Sequence, residues 1–92
     1  MKPVIKFYPH IPKNFGLTAA ESFLLCIILS YQESDEICME TLDELAQDMN
    51  VSRVTVIKAI KNLKKKNLIT VTKIQNRNSY EANVHMIFNI DN

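Results

Sequence analysis

The sequence contains few of the residues that interrupt regular structure. Among its 92 residues glycine occurs once, at Gly16, and the only prolines are Pro3, Pro9 and Pro12. Glycine and proline are the strongest local signals for turns and breaks, so we expect mostly regular structure after residue 16. The prolines exclude a helix from the first residues. They predict an extended arm over 1–16 that lies over a single domain at 17–92. A sheet edge and a second subunit are the two alternatives for what the arm pairs with.

Metal-binding and membrane-spanning patterns are also missing. Two cysteines and two distant histidines lack the spacing of metal ligands, so we expect no metal and no cofactor. Cys26 and Cys38 have apolar neighbours, which predicts buried thiols in a reducing cytoplasm. The run Phe23–Leu29 has seven apolar residues, too few to cross a bilayer. We expect a cytoplasmic protein without a membrane segment.

The sequence shows none of the patterns by which enzymes are identified. It has no glycine-rich phosphate loop, no paired carboxylates in a pocket-like context and no nucleophile–base spacing. We therefore expect a protein that is not an enzyme.

The charges are divided along the chain near Asn50, although the net charge is only +1. Eight acids and no lysine or arginine lie between Thr18 and Met49, whereas eight bases and no acid lie between Asn50 and Tyr80. Charge divided in this way gives one basic face. Such a face suits a polyanionic partner.

Two capping boxes predict the first two helices. Thr18 with Glu21 begins a helix over 18–32, and Thr41 with Glu44 begins a second one. The apolar run in the first helix covers its whole circumference, so we expect it to be buried on nearly every side. A domain of 92 residues with three helices rarely has enough material to cover one of them completely. One face should therefore pack against the arm or against a second subunit, which makes a homodimer through helix 18–32 and the arm possible.

A third helix, over 52–66, follows the second after a tight turn, which makes a helix-turn-helix. Ser52 is a good N-cap, because its hydroxyl can accept from the N–H of Thr55. The predicted core stripe is Val56, Ala59, Ile60 and Leu63. The opposite face carries Val54, Lys58, Lys61 and Lys65, flanked by Arg53 and Thr55. This pattern fits a DNA recognition helix, although an ordinary solvated surface helix has it too.

The rest of the chain predicts strands. Asn67 suits the left-handed residue that ends a helix, and 68–74 is rich in β-branched residues. A polar loop at 75–79 and an alternating apolar strand at 84–90 follow, and 37–39 is a possible very short strand. The predicted fold is α+β: a winged helix-turn-helix of three helices plus a C-terminal two- or three-stranded β-wing.

The segment Thr41–Ile69 resembles bacterial winged helix-turn-helix regulators, through the pattern LA…VS-R-x-T-V…AI…L…LI. It is similar to the DNA-binding domain of GntR-type repressors and to the N-terminal domains of plasmid and phage replication initiators. The similarity covers about residues 17–90, and the lead-in at 11–13 and 17–21 leans toward the initiators. The resemblance implies double-stranded DNA binding, in transcriptional regulation or in replication initiation.

Carried over by position, the resemblance implies that the first two turns of the third helix enter the major groove with Ser52, Arg53, Thr55, Ile57 and Lys58. Arg77, in the wing, would approach the minor groove or its phosphates. Ile57 stands where many relatives have arginine, which replaces a guanine-reading group with one that suits a thymine methyl.

The candidate side chains suggest different contacts. Arg53 can bond both acceptors of guanine, but a phosphate contact is an equal alternative. Val54 suits a thymine methyl, although isolated exposed valines are common. The lysines can follow a phosphate backbone, while the run at 64–66 also suits the helix dipole. The full predicted set is Ser52, Arg53, Val54, Thr55, Ile57, Lys58, Lys61, Lys65, Lys73, Asn76, Arg77 and Asn78.

Four further residues have expected positions. Tyr80 and His85 should be packing residues, and the acids Asp43 and Asp48 should face away from a DNA backbone. Winged helices also serve as protein-interaction modules, and this alternative to DNA binding stays open.

Overall fold

A computed structural model describes residues 3–8, 11 and 15–88 of the chain. Within these ranges, four helices and the two strands of a β-hairpin have defined bounds. The helices and strands, in chain order, are α1 (Ala19–Glu33), α2 (Leu42–Met49), α3 (Arg53–Lys65), β1 (Ile69–Ile74), β2 (Arg77–Ala82) and α4 (Val84–Phe88). The two strands pair antiparallel, from Ile69 opposite Ala82 to Ile74 opposite Arg77. The fold is an α+β winged helix-turn-helix, as predicted.

The predicted caps begin the three long helices. The Thr18 hydroxyl accepts from the backbone N–H of Glu21 at 3.2 Å, and the Glu21 carboxylate accepts from the N–H of Thr18 at 3.1 Å. Thr41 and Glu44 make the same reciprocal pair before α2. The Ser52 hydroxyl accepts from Thr55 N–H at 3.2 Å before α3. These bonds satisfy donors that a helix start otherwise leaves open, so local sequence determines where each helix begins.

The buried helix α1 forms the centre of the core. Every residue from Leu24 to Tyr31 is buried, and α1 packs against α2, α3 and β2. The side-chain amide of Gln32 bonds both the N–H and the C=O of Ala82, which fastens the hairpin to the end of α1. The helix is therefore enclosed on nearly every side, as its apolar circumference predicted.

The N-terminal arm supplies part of that enclosure. The backbone N–H of Lys6 donates to the Ser30 hydroxyl at 3.0 Å, and the Phe7 ring meets Phe23 edge to face at 5.5 Å. Ile11 is completely buried in the core. Ile11 and Phe15 have helical backbone, so the expectation of an extended arm without helix was wrong at these two positions, because a proline is tolerated in the first turn of a helix. We expected either the arm or a second subunit to pack against α1, and within a single chain the arm does so.

Two residues with positive φ make the hairpin turn tight. Gln75 has a φ of 49° and Asn76 a φ of 68°, the pattern of a type I′ turn, which matches the twist of paired strands. The third strand expected at 37–39 is reduced to one bridge, in which the N–H of Tyr80 donates to the carbonyl of Cys38 at 2.9 Å. The wing is thus two strands and a single bridge.

The prediction of a second strand at 84–90 was wrong. The second strand is β2, which covers most of the expected polar loop at 75–79, and 84–88 forms α4; residues 89 and 90 lie outside the described part of the chain. The Asn83 side chain accepts from the N–H of Met86 at 3.2 Å, a cap that begins a helix. The alternating residues Val84, Met86 and Phe88 are exposed, while Ile87 is buried.

The expectations for single residues had mixed outcomes. Tyr80 is buried in the core, as expected, whereas His85 is exposed, so its packing role was wrong. Both cysteines are buried as free thiols, and burial raises the pKa of the Cys26 thiol. Asn67 has a φ of 61°, which confirms the left-handed end of α3. In the described ranges, no helix is long and apolar enough to cross a membrane and no side chains group as metal ligands.

Candidate nucleic-acid interface

Helix α3 has a buried face and an exposed face, as its periodicity predicts. Val56, Ala59 and Leu63 are buried against α1 and α2, and Ile60 is half-buried. The side chains on the outer surface are Arg53, Val54, Ile57, Lys58, Lys61 and Lys65, with Thr55 half-buried beside them. Apart from its capped start, the surface consists of cationic and β-branched apolar groups and contains no acid of α3.

The first turn of α3 is held by its own hydroxyl groups. The Ser52 hydroxyl accepts from the N–H of Thr55 and lies 3.1 Å from the Thr55 hydroxyl. The Ser52 hydroxyl therefore caps the helix, and the Thr55 hydroxyl bonds that capping group. Each keeps some hydrogen-bonding capacity, because a hydroxyl has one donor and two acceptor positions. Their first task is to fix the backbone from which Arg53 and Val54 project.

Arg53 is paired with an acid of the neighbouring helix. Its Nε lies 3.2 Å from Oδ1 of Asp43, and both side chains are more than half exposed. The expectation that Asp43 faces away from the predicted DNA surface was therefore wrong. Asp48 does lie elsewhere: it is half-buried and lines a cavity of about 120 Å³ between the arm and α1.

The same cavity contains a buried phenol–carboxylate pair. The Tyr31 hydroxyl donates to Oε2 of Glu40 at 2.5 Å, and both residues are buried. Burial, and then the hydrogen bond to Glu40, raise the pKa of Tyr31. Because the pair lies under the arm and away from the exposed face of α3, we assign it to the core and not to the interface.

The hairpin brings its candidate residues to one cleft. Lys73, Asn76, Arg77 and Asn78 are exposed and, together with residues 39–42, line a cleft of about 280 Å³. Arg77 Nη2 donates to the carbonyl of Met39 at 2.6 Å and lies 3.8 Å from Oε1 of Glu44. Arg77 thus ties the wing to the start of α2, a role that the sequence did not indicate.

A second cleft, of about 190 Å³, joins α3 to the start of α1. It is lined in part by Thr18, Thr55 and Lys58. On its floor the Asn62 side-chain amide donates to Oε2 of Glu21 at 2.7 Å. Sequence reasoning missed this contact. The two residues are 41 positions apart, and nothing in a single sequence pairs them.

The lysines on this side of the molecule differ in how they are engaged. Lys66 donates to the carbonyls of Phe15 and Gly16, so one member of the run at 64–66 anchors the chain that leads into α1. Within the ranges that the structure describes, the other basic side chains of α3 and the wing that lack an ion pair are Lys58, Lys61, Lys64, Lys65 and Lys73. Their positive charge is not compensated locally.

The comparisons with known proteins agree with this architecture. The family model described as a helix-turn-helix domain matches residues 16–69, which is more than half of the chain and contains α1, α2, α3 and the turn between α2 and α3. The match does not distinguish GntR-type regulators from replication initiators. Comparison with curated proteins and with solved structures gave no match. With its capped helices, tight turn and hairpin in place, the chain belongs to the helix-turn-helix domain family.

Proposed function

We propose that the protein binds double-stranded DNA by placing the first two turns of α3 in the major groove. An α-helix fits the width of that groove, and the exposed basic side chains of α3 complement the phosphates that border it. The hairpin then lies beside the same stretch of duplex, because β1 follows α3 after only three residues.

One observation carries this proposal: two apolar side chains are exposed within a basic helix face. Val54 is 61% exposed and Ile57 41% exposed, and residues three apart are neighbours on a helix surface. Arg53 precedes them and Lys58 follows. An apolar side chain gains nothing from water, whereas contact with a thymine methyl buries it. The major groove has base edges on its floor and phosphates along its borders. An apolar pair with a cation on each side has the same arrangement.

The proposed contacts divide into reading and positioning. Base edges are met by Ser52, Arg53, Val54, Thr55, Ile57 and Lys58. Phosphates are met by Lys61 and Lys65 on α3 and by Lys73, Asn76, Arg77 and Asn78 of the wing. Phosphate contacts fix the register of a protein on the duplex, while base contacts determine sequence preference.

The experiment that tests this proposal is selection of bound sequences from a random duplex pool, followed by binding titrations on the enriched duplex. If about four to six phosphates are neutralised, log K falls with log salt at a slope of roughly −3.6 to −5.4. Lys61→Ala should weaken binding and make the slope shallower by about 0.9, because Lys61 is an exposed lysine assigned to a phosphate. Lys6→Ala is the matched control, because Lys6 lies on the arm in an exposed ion pair with Glu33.

Two results would contradict the proposed DNA interface. A flat salt titration, or equal losses from the two lysine variants, would remove the assigned interface. A winged helix that serves as a protein-interaction module gives a different pattern. The wild type then binds no duplex, and the Arg53→Ala, Lys58→Ala double variant keeps its protein partner.

We further propose that DNA binding serves transcriptional regulation, with replication initiation as the alternative. A reporter promoter that contains the enriched site should change its output with the wild type and not with the double variant. No change in the reporter, together with site-dependent maintenance of a plasmid that carries the site, favours the initiator.

A homodimer is a further part of the proposal. Two copies on DNA predict an inverted-repeat site with half-sites about 34–36 Å apart. The arm already covers α1, and its exposed side chains Val4 and Phe7 are the apolar groups that it offers to a partner. An asymmetric site and a monomer in sedimentation at high concentration contradict the dimer and leave DNA binding intact.

A further inference from the structure

The first turn of α2 carries two consecutive acids, and each lies beside one of the two arginines of the chain. Asp43 Oδ1 is 3.2 Å from Arg53 Nε, and Glu44 Oε1 is 3.8 Å from Arg77 Nη2. The unpaired lysines of α3 and the wing have no such acid beside them within the described ranges. The acids of α2 therefore act on the two side chains that can make planar, bidentate contacts.

We propose, resting on the DNA-binding function above, that Asp43 is a positioning residue that determines sequence specificity through Arg53. The guanidinium has five N–H donors in a fixed plane. The Asp43 carboxylate lies on the Nε side of the guanidinium, at 3.2 Å, which leaves the N–H groups of both Nη atoms for a base. A guanine offers two acceptors, O6 and N7, to such a pair. The carboxylate thereby orients the arginine fork toward the groove.

The exposure of the pair indicates when this positioning matters. The Arg53 and Asp43 side chains are 60% and 76% exposed, and an exposed ion pair contributes little to the stability of a free protein. Once a groove excludes water, the same pair is stronger. A carboxylate near phosphates also weakens binding to every sequence. The weakening that is common to every sequence leaves the specificity ratio unchanged, so Asp43 raises that ratio only by supporting the specific contact of Arg53.

Glu44 has a different role, although it is the next residue. Its Oε1 already accepts from the N–H of Thr41 at 2.8 Å in the capping box, and the short contact of Arg77 is the one to the Met39 carbonyl. Arg77 is held mainly by the backbone before α2. The specificity role therefore belongs to Asp43 and not to the acid pair as a unit.

The test compares Asp43→Asn with Asp35→Asn. The second variant removes the same charge from an exposed residue in the turn after α1, where the φ of 58° is one that asparagine tolerates. Affinity is measured at one salt concentration for the enriched duplex and for a scrambled duplex of the same length. Asp43→Asn should bind the scrambled duplex more tightly and lower the specificity ratio by about fivefold, the low end for one bidentate contact. Asp35→Asn should leave the ratio unchanged.

A coupling measurement separates positioning from a general structural role. In an Arg53→Ala background, Asp43→Asn should no longer change the specificity ratio, because the side chain on which it acts is gone. A ratio that falls equally in both backgrounds, or stays within twofold of the wild type in Asp43→Asn, overturns the inference. The same holds if the wild type binds both duplexes equally, although DNA binding itself then stands. A wild type that binds neither duplex refutes the proposed function and this inference with it.

Discussion

Ile11→Ala tests whether the arm is part of the folded core. Ile11 is completely buried, and its backbone N–H donates to the carbonyl of Tyr8 at 3.0 Å. Truncation removes buried carbon atoms and leaves a cavity that the surrounding side chains fill only in part. The prolines at positions 9 and 12 give no sign that Ile11 is a core residue. The variant therefore tests a contact that only the structure shows.

The expected magnitude follows from this burial. An isoleucine-to-alanine change in a packed core costs about 2–5 kcal/mol. A domain of this length has a free energy of unfolding of roughly 5–14 kcal/mol, from about 0.05–0.15 kcal/mol per residue. The loss is thus a substantial part of the total. At about 5 °C per kcal/mol for a domain of this size, the melting temperature should fall by roughly 10–25 °C.

The assay is thermal and urea unfolding followed by circular dichroism, with Val4→Ala as the matched control. Val4 lies in the same arm and is 85% exposed, so its truncation should change stability by less than about 0.5 kcal/mol. If Ile11→Ala and Val4→Ala have equal, small effects, the arm does not contribute to the core, and the account of how α1 is enclosed is wrong.

Three further predictions concern the core and the turn. Tyr31→Phe should cost about 1–3 kcal/mol at pH 7, because it removes a hydrogen bond to the buried Glu40. The raised pKa means that the fold favours the protonated phenol, so wild-type stability should decline above pH 10 more steeply than that of Tyr31→Phe in urea titrations; equal slopes contradict this. Gln75→Gly should raise stability by about 1 kcal/mol, because it relieves a positive φ in a residue with a Cβ, and a loss would show that the turn is not left-handed. The Cys26 thiol should react with a disulfide reagent only at the rate of unfolding, measured by absorbance, and a fast reaction in the native protein would refute its burial.

The helical part of the fold could be predicted because its signals are local. A capping residue and its partner are three positions apart, and the core stripe of a helix repeats within each turn. Thr18, Thr41 and Ser52 therefore indicated where each long helix begins. The exposed side of α3 follows from the same periodicity, since the buried stripe determines which residues point outward.

The wing was harder to predict because its stability is not local. Strand β2 contains Arg77, Asn78 and Glu81, which have little strand preference. It forms because a two-residue turn sets its register and because Tyr80 packs in the core. The alternation at 84–88 looked like a strand, but Asn83 caps a helix there. Packing of Tyr80 in the core favoured β2, whereas a cap that joins residues only three positions apart favoured α4.

The candidate site shows the same limit. Periodicity identified the surface of α3, but the ion pair of Asp43 with Arg53 joins residues ten positions apart across a turn. Arg77 and Met39 are 38 positions apart. Charge counts along the chain separated an acidic half from a basic half, whereas the folded chain returns two of the acids to the arginines. Which acids do so depends on how α2 packs against α3.

The most direct test of the central claim is a chemical-shift map of the isotope-labelled protein titrated with the enriched duplex. If α3 enters the major groove, the largest amide shifts fall within 52–61, with a second group at 73–78. The amides of the arm at 3–8 and of α4 should move little. Shifts concentrated on the arm and α4, with α3 unchanged, would contradict the proposal that α3 enters the major groove.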